Sequence, residues 1–100
     1  MPTDPNPSVS YAGGDGSSPE EAVVVHAPNK PTGIQAEYLW LKDRFGVEGE
    51  DWSHLSQDLV FHDEFGPMDS HMIRVHGKGR RRWYPVRVWF ATGHWFYDGL

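Results

Sequence analysis

Thr32-Gly33-Ile34-Gln35-Ala36-Glu37-Tyr38-Leu39-Trp40-Leu41-Lys42-Asp43-Arg44-Phe45-Gly46 is the segment from which the fold can be worked out. Within it Ile34, Tyr38, Leu41 and Phe45 recur at i, i+4, i+7 and i+11, and at about 100° per residue these positions share one helical face. Thr32 and Gln35 match a capping box, with the Thr hydroxyl accepting from the Gln35 N–H and the Gln side chain reaching back to the Thr32 amide. Gly46 supplies the stop. The spacing predicts an amphipathic helix lying on something flat. Trp40 falls well off the stripe, so either a second element covers it or it stands exposed as a secondary candidate for partner binding.

Beyond the acidic loop Val47 to Asp51 the period changes from 3.6 to 2. Leu55, Leu59 and Phe61 face one way with Gln57 between them, which predicts a strand over Trp52 to His62 with Val60 on its other face. Phe65-Gly66-Pro67-Met68 is the turn. His71 to His76 follows as a strand sending Ile73 and Val75 to one side and Met72, Arg74 and His76 to the other. Gly77-Lys78-Gly79 reverses the chain again. In the last long strand Tyr84, Val86, Val88 and Phe90 alternate with Trp83, Pro85, Arg87 and Trp89. Pro85 has no N–H for a ladder, so this strand lies at an edge or turns the Pro nitrogen outward. On the N-terminal side, Glu21 to His26 is a β-branched run closed by Ala27-Pro28-Asn29-Lys30-Pro31. His94-Trp95-Phe96-Tyr97 is expected to fold back as a turn that plugs one end of the core. The fold class is α+β: one amphipathic helix packed on a small antiparallel sheet in the order β-α-β-β-β, a two-layer roll.

The first twenty residues differ in kind. Pro, Gly and Ser fill 11 of these 20 positions, too few apolar groups to offset the ordering entropy, and 1–20 reads as a disordered tail before a single domain over 21–100. The 100 residues carry a net charge of −5 and no cysteine. Disulfide scaffolds, Cys-ligated zinc and thiol catalysis are thereby excluded. The longest apolar run, Ala22 to Val25, is far too short to span a bilayer, and no basic start precedes an apolar stretch. The expectation is a cytoplasmic protein with no membrane partner. The charge is polarised: Glu21 to Phe65 is net −6, and Gly66 onward is net +4.

Three constellations bear on function. The first is the basic hairpin, with Arg74, Arg80, Arg81, Arg82 and Arg87 interleaved with Trp83 and Trp89. Cations to meet phosphates and rings to stack bases make a single-stranded nucleic-acid binder one alternative. The plainer reading pairs this strand with the acidic one carrying Asp58, Asp63 and Glu64, so that charges cancel across the sheet. The second is histidine, at six positions. His62 and His71 flank the hairpin turn and are the candidate metal ligands of a small metal-dependent enzyme, although no His-x-His or His-x-x-x-His spacing occurs. No nucleophile elbow or phosphate-cradling loop is present, so catalysis is not the expected role and no cofactor is implied. The third is the sheet face turned from the helix, where Trp83, Arg87 and Trp89 lie with Met72 and Arg74. Tryptophan and arginine concentrate in interface cores. The leading expectation is a non-enzymatic interaction module that binds a protein partner, or a second copy as a homodimer, through that face.

Overall fold

The computed structural model of the chain describes residues 9–76 and 83–93. Its elements are β1 (Ser10–Gly13), β2 (Val23–His26), α1 (Lys30–Phe45), β3 (Trp52–His62), β4 (Gly66–His76) and β5 (Trp83–Ala91). The class is α+β, one helix on a five-stranded sheet in the order β1-β2-β5-β4-β3. Three features correct the sequence reading. Strand β4 begins at Gly66 and not at His71, so the hairpin turns at Asp63 to Phe65, and Gly66, Pro67 and Met68, expected in the turn, pair with His62, Phe61 and Val60 of β3. The sheet is mixed, because β2 runs parallel to β5 through Val23↔Phe90 and Val24↔Ala91. An additional strand, β1, pairs antiparallel with β2 from Ser10↔His26 to Gly13↔Val23, inside the stretch expected to be a disordered tail. Composition concealed β1 because its order comes from backbone pairing and one anchor: the Tyr11 hydroxyl donates to the Ala36 carbonyl at 2.8 Å. Residues 1–8, the Gly77-Lys78-Gly79 reversal with Arg80 to Arg82, and the expected plug His94-Trp95-Phe96-Tyr97 lie outside the described residues.

Helix α1 starts two residues before the expected cap. Asn29 is the N-cap, its Oδ1 accepting from the Thr32 N–H at 2.9 Å, and Pro31 sits in the first turn, where a missing N–H costs nothing. The buried face is Gly33, Ala36, Glu37, Trp40 and Leu41, while Ile34, Tyr38 and Phe45 flank it partly buried. Hydropathy misplaced the stripe because its central position is a carboxylate. Trp40 is accordingly a core residue, 8% exposed with its ring edge-on to Phe90 at 5.5 Å, and not a surface contact. The core cluster joins these helix residues to Val23, Val25, Trp52, Ile73, Val75, Val88 and Phe90.

Strand β3 spans the residues expected, but its faces differ. The register shifts between His54 and Ser56, a bulge that turns Trp52 and His54 inward and places Gln57, Leu59 and Phe61 in alternation beyond it. Tyr38 of α1 donates to Gln57 Oε1 at 3.3 Å, which fixes the helix side for these residues. The helix does not reach far enough to cover Leu59 and Phe61, which are 48% and 62% exposed, and Leu55, unpaired at the bulge, is 51% exposed. In β5, Val88 and Phe90 are buried as the alternation requires, and Tyr84 near the strand start is exposed.

Pro85 is explained by backbone alternation. The Thr92 N–H bonds Pro67 on the β4 side and the Trp89 N–H bonds Gly16 on the other, so odd-numbered β5 residues direct their amide nitrogens away from β4. Pro85 therefore points its nitrogen toward the side where β2 reaches only Phe90 and Ala91. No ladder donor is lost.

Gly46 ends α1 at φ 103°, ψ −147°, its N–H bonded to the Lys42 carbonyl, a backbone region reserved almost wholly for glycine. The Asp51 carboxylate caps the same corner, accepting from the Val47 N–H at 2.7 Å, and a Cβ at Gly46 would run into it. Gly46→Ala is expected to lower stability by about 1–3 kcal/mol, read as a shifted urea midpoint with an unchanged slope. Among the described residues no helix is long and apolar enough to cross a membrane.

Candidate functional site

The sheet face away from α1 carries four of the residues picked out from the sequence. Across the β4–β5 ladder His76 faces Trp83, Arg74 faces Pro85, Met72 faces Arg87 and Ser70 faces Trp89. The Arg74 guanidinium lies over the Trp83 ring at 5.4 Å and that of Arg87 over Trp89 at 5.8 Å. Trp83 also packs on the His76 imidazole at 4.9 Å between ring centres. Arg87 Nη1 donates to Ser70 Oγ at 2.6 Å, which holds one guanidinium in place. Both tryptophans are half-buried and both arginines exposed. At one end the face is closed, since Met68 and Ser70 are fully buried. The expected cancellation by Asp58, Asp63 and Glu64 does not arise: β5 lies between β2 and β4, and the acidic strand β3 pairs with β4. Among the described residues neither Arg74 nor Arg87 forms an ion pair with a carboxylate.

His62 and His71 are not a pair. They lie on opposite faces of the β3–β4 hairpin, because His62↔Gly66 and Gln57↔His71 stand in one unbroken register. His62 is a turn residue, its Nδ1 accepting from the N–H groups of Glu64 and Phe65 at 3.1 and 3.2 Å. Among the described residues no group of three or more His, Cys, Asp or Glu is placed to hold a metal ion.

His71 has other partners, which the sequence reading missed. Its Nε2 lies 2.6 Å from Glu37 Oε1 and its Nδ1 lies 2.9 Å from His54 Nε2. Glu37 and His71 are both fully buried, and His54 is half-buried. Tyr38 packs against the imidazoles of His54 and His71 at 5.4 and 5.3 Å between ring centres. Burial drives the Glu37 carboxyl well above the ordinary carboxylate range, and Asp69, which competes for the same proton and carries its own charge, adds to the effect. Its Oε2 meets no hydrogen-bond partner among the described residues. Burial, with a smaller contribution from His54, pushes His71 down to about 4. Both shifts run toward the uncharged pair; in that form the Glu37 carboxyl donates to His71 Nε2 and His71 Nδ1–H donates to His54 Nε2. The result is a hydrogen-bonded chain running from the core to a half-exposed imidazole. A groove of about 840 Å³ lies apart from it, at the C-terminal end of α1, lined by Arg44, Phe45, His76, Tyr84 and Arg87 among others.

The turn at Asp63 to Phe65, and not at Phe65 to Met68, sets His71 opposite Gln57, three residues from His54. One signal in the sequence pointed this way. Glu37 falls between Gly33 and Leu41 at i+4 spacing, the centre of a helical face. Comparisons with protein-family models, with curated proteins and with solved structures find no match to this chain.

Proposed function

We propose that the protein is a small interaction module that holds a protein partner on the outer face of its sheet, through Trp83, Arg87 and Trp89 with Arg74 beside them. The observation that carries this reading is the pair of Arg–Trp stacks on one sheet face, Arg74 on Trp83 across the β4–β5 ladder and Arg87 on Trp89 along β5, whose cations have no carboxylate partner among the described residues. A guanidinium held over an indole keeps its outward N–H groups for an incoming carboxylate, while the ring offers a rigid apolar platform beside it. The arrangement fits an acidic segment of a partner that also carries apolar side chains.

The test is capture of partners from an extract of the producing cells on immobilised wild-type protein and on Trp89→Ala and Arg87→Glu variants. Each substitution is expected to weaken a captured partner by about 2 kcal/mol, roughly thirtyfold. A partner held equally by both variants would place binding elsewhere. The nucleic-acid alternative uses the same rings and cations and separates by salt. A single-stranded oligonucleotide that quenches tryptophan fluorescence at low ionic strength, with the quench lost as salt rises, would favour it over a protein partner.

A further inference from the structure

Strand β2 begins at Val23 and meets β5 at Phe90 and Ala91. Residues 83–87 of β5 therefore pair with β4 on one side and, among the described residues, with no strand on the other. The chain before β2 leaves this track: Gly16 accepts the Trp89 N–H at 2.8 Å, and no backbone bond between described residues reaches Pro85 or Arg87 from that side. The alternation that turns the Pro85 nitrogen away from β4 also sends the Pro85 carbonyl and both the N–H and C=O of Arg87 into the gap. Exposure follows the same division, since Tyr84, Pro85 and Arg87 are exposed while Val88 and Phe90 are buried.

The groove of about 840 Å³ lies along this open edge, between the loop of residues 15–17 and the last turn of α1 at Phe45, with Tyr84, Val86 and Val88 of β5 among its lining. An extended segment placed on the track of β2 beyond Val23 finds its backbone partners waiting. Opposite Arg87 it exchanges two hydrogen bonds, and one further N–H reaches the Pro85 carbonyl. Pro85 withholds a donor, which weakens indiscriminate pairing at this edge and leaves side-chain contacts to select what binds. Those contacts differ by face. A residue opposite Arg87 shares the outer face with it, where neither Arg87 nor Arg74 has a carboxylate partner among the described residues, so an acidic side chain is the complement there. Its two neighbours turn into the groove, against Val86, Tyr84 and Phe45, and are apolar. The groove's own acids are engaged: Asp15 accepts from the Ser17 N–H at 3.0 Å and Asp51 from the Val47 N–H at 2.7 Å.

We propose that residues 83–87 of β5 receive an extended segment of a protein partner as an added antiparallel strand, with an acidic residue opposite Arg87 between two apolar residues seated in the groove. The acidic position rests on the outer-face reading given above, and the added strand says where the partner's backbone runs. Main-chain bonds to the edge supply affinity, and the alternation of acid and apolar side chain supplies selectivity.

A library of random short peptides selected on the full chain is expected to enrich apolar–acidic–apolar alternation. Saturation with a selected peptide is expected to slow hydrogen exchange of the Arg87 amide by about tenfold or more, while the Val88 amide, which faces β4, changes little. Methylating the peptide's amide nitrogens one at a time is expected to weaken binding with a period of two, by about tenfold wherever the N–H faces the Arg87 or Pro85 carbonyl. Tyr84→Lys is expected to weaken the same peptide with circular dichroism unchanged; if that variant unfolds, the methylation series on the wild-type chain decides the matter unaided. A library that enriches nothing over the bare support would overturn the proposal, as would a methylation series without the period of two. An Arg87 amide already protected in the chain alone would also overturn it, the edge then being filled by another segment or a second copy. A peptide lost in Trp89→Ala that leaves Arg87 exchange unchanged would keep the outer-face reading and remove the added strand. A period of two in a peptide indifferent to Trp89→Ala would keep the added strand and remove the outer-face reading.

Discussion

Replacing His71 by alanine is expected to remove about 3–5 kcal/mol of unfolding free energy, because it takes the 2.6 Å partner from the buried Glu37 carboxyl and leaves it beside Asp69, a second buried acid. Glu37 is fully buried and its second oxygen already lacks a hydrogen-bond partner among the described residues. Taking away the partner of the first leaves the acid with Asp69, itself a carboxyl, in a layer that includes Leu41, Ile73 and Phe90. A domain of this size has roughly 5–15 kcal/mol in total, so the variant is expected to be close to unfolding at ambient temperature. Removing both polar groups reverses the outcome. Glu37→Leu with His71→Leu is expected to match or exceed the wild type, since the desolvation cost disappears along with the bond and His54, half-buried, can turn to water. Urea unfolding of the two singles and the double decides it. A double variant as weak as His71→Ala would mean that the hydrogen-bonded chain contributes net stability beyond its desolvation cost.

The pH dependence is the second large effect, and its sign follows from counting protons. In the unfolded chain Glu37 titrates near 4.5 and His71 near 6.5, whereas in the folded chain the first is raised and the second lowered to about 4. Between pH 4.5 and 6.5 the unfolded pair holds one proton, on His71, and the folded pair holds one as well for as long as the raised Glu37 carboxyl keeps its proton. Stability from this pair is therefore flat across that window. Above pH 6.5 the unfolded pair holds none, so for as long as the folded Glu37 keeps its proton stability is expected to fall, by up to about 1.4 kcal/mol per pH unit. Below pH 4.5 the loss is short, ending near pH 4 where His71 itself protonates in the fold. Glu37→Gln is expected to abolish the alkaline decline while keeping a hydrogen bond to His71. Urea midpoints measured from about pH 6.5 to about pH 9 in both proteins test this. A wild-type profile flat over that range would mean that Glu37 is ionised in the folded chain at neutral pH.

The two effects explain why the buried chain of polar groups is hard to read from the sequence. A carboxylate in the stripe lowers its apparent hydropathy, so the apolar periodicity of α1 runs through Ile34 and Tyr38 and sets Trp40 outward. In β3 the bulge at Leu55 has no side-chain signature, yet it decides which of His54 and Leu55 points to the core. Strict alternation is a sound guide wherever no bulge or charge intervenes, as in Ile73 and Val75 of β4 or Val88 and Phe90 of β5. The outer-face residues are legible for the same reason: Arg74, Arg87 and Trp89 follow by parity from their buried neighbours.

By itself the sequence determined that there is a helix and that three strands follow it, because each depends on residues a few positions apart; for Pro85 it left open an edge strand or an outward nitrogen, and the β2 pairing of β5 decided for the second. The tertiary structure alone decided that β1 exists, that β2 runs parallel to β5, and that Glu37, His54 and His71 meet. Those features depend on groups brought together from 17 to 34 positions away or from opposite ends of the chain. Their free energy comes from pairing and burial that do not exist until the chain has closed, and local propensity carries no record of them.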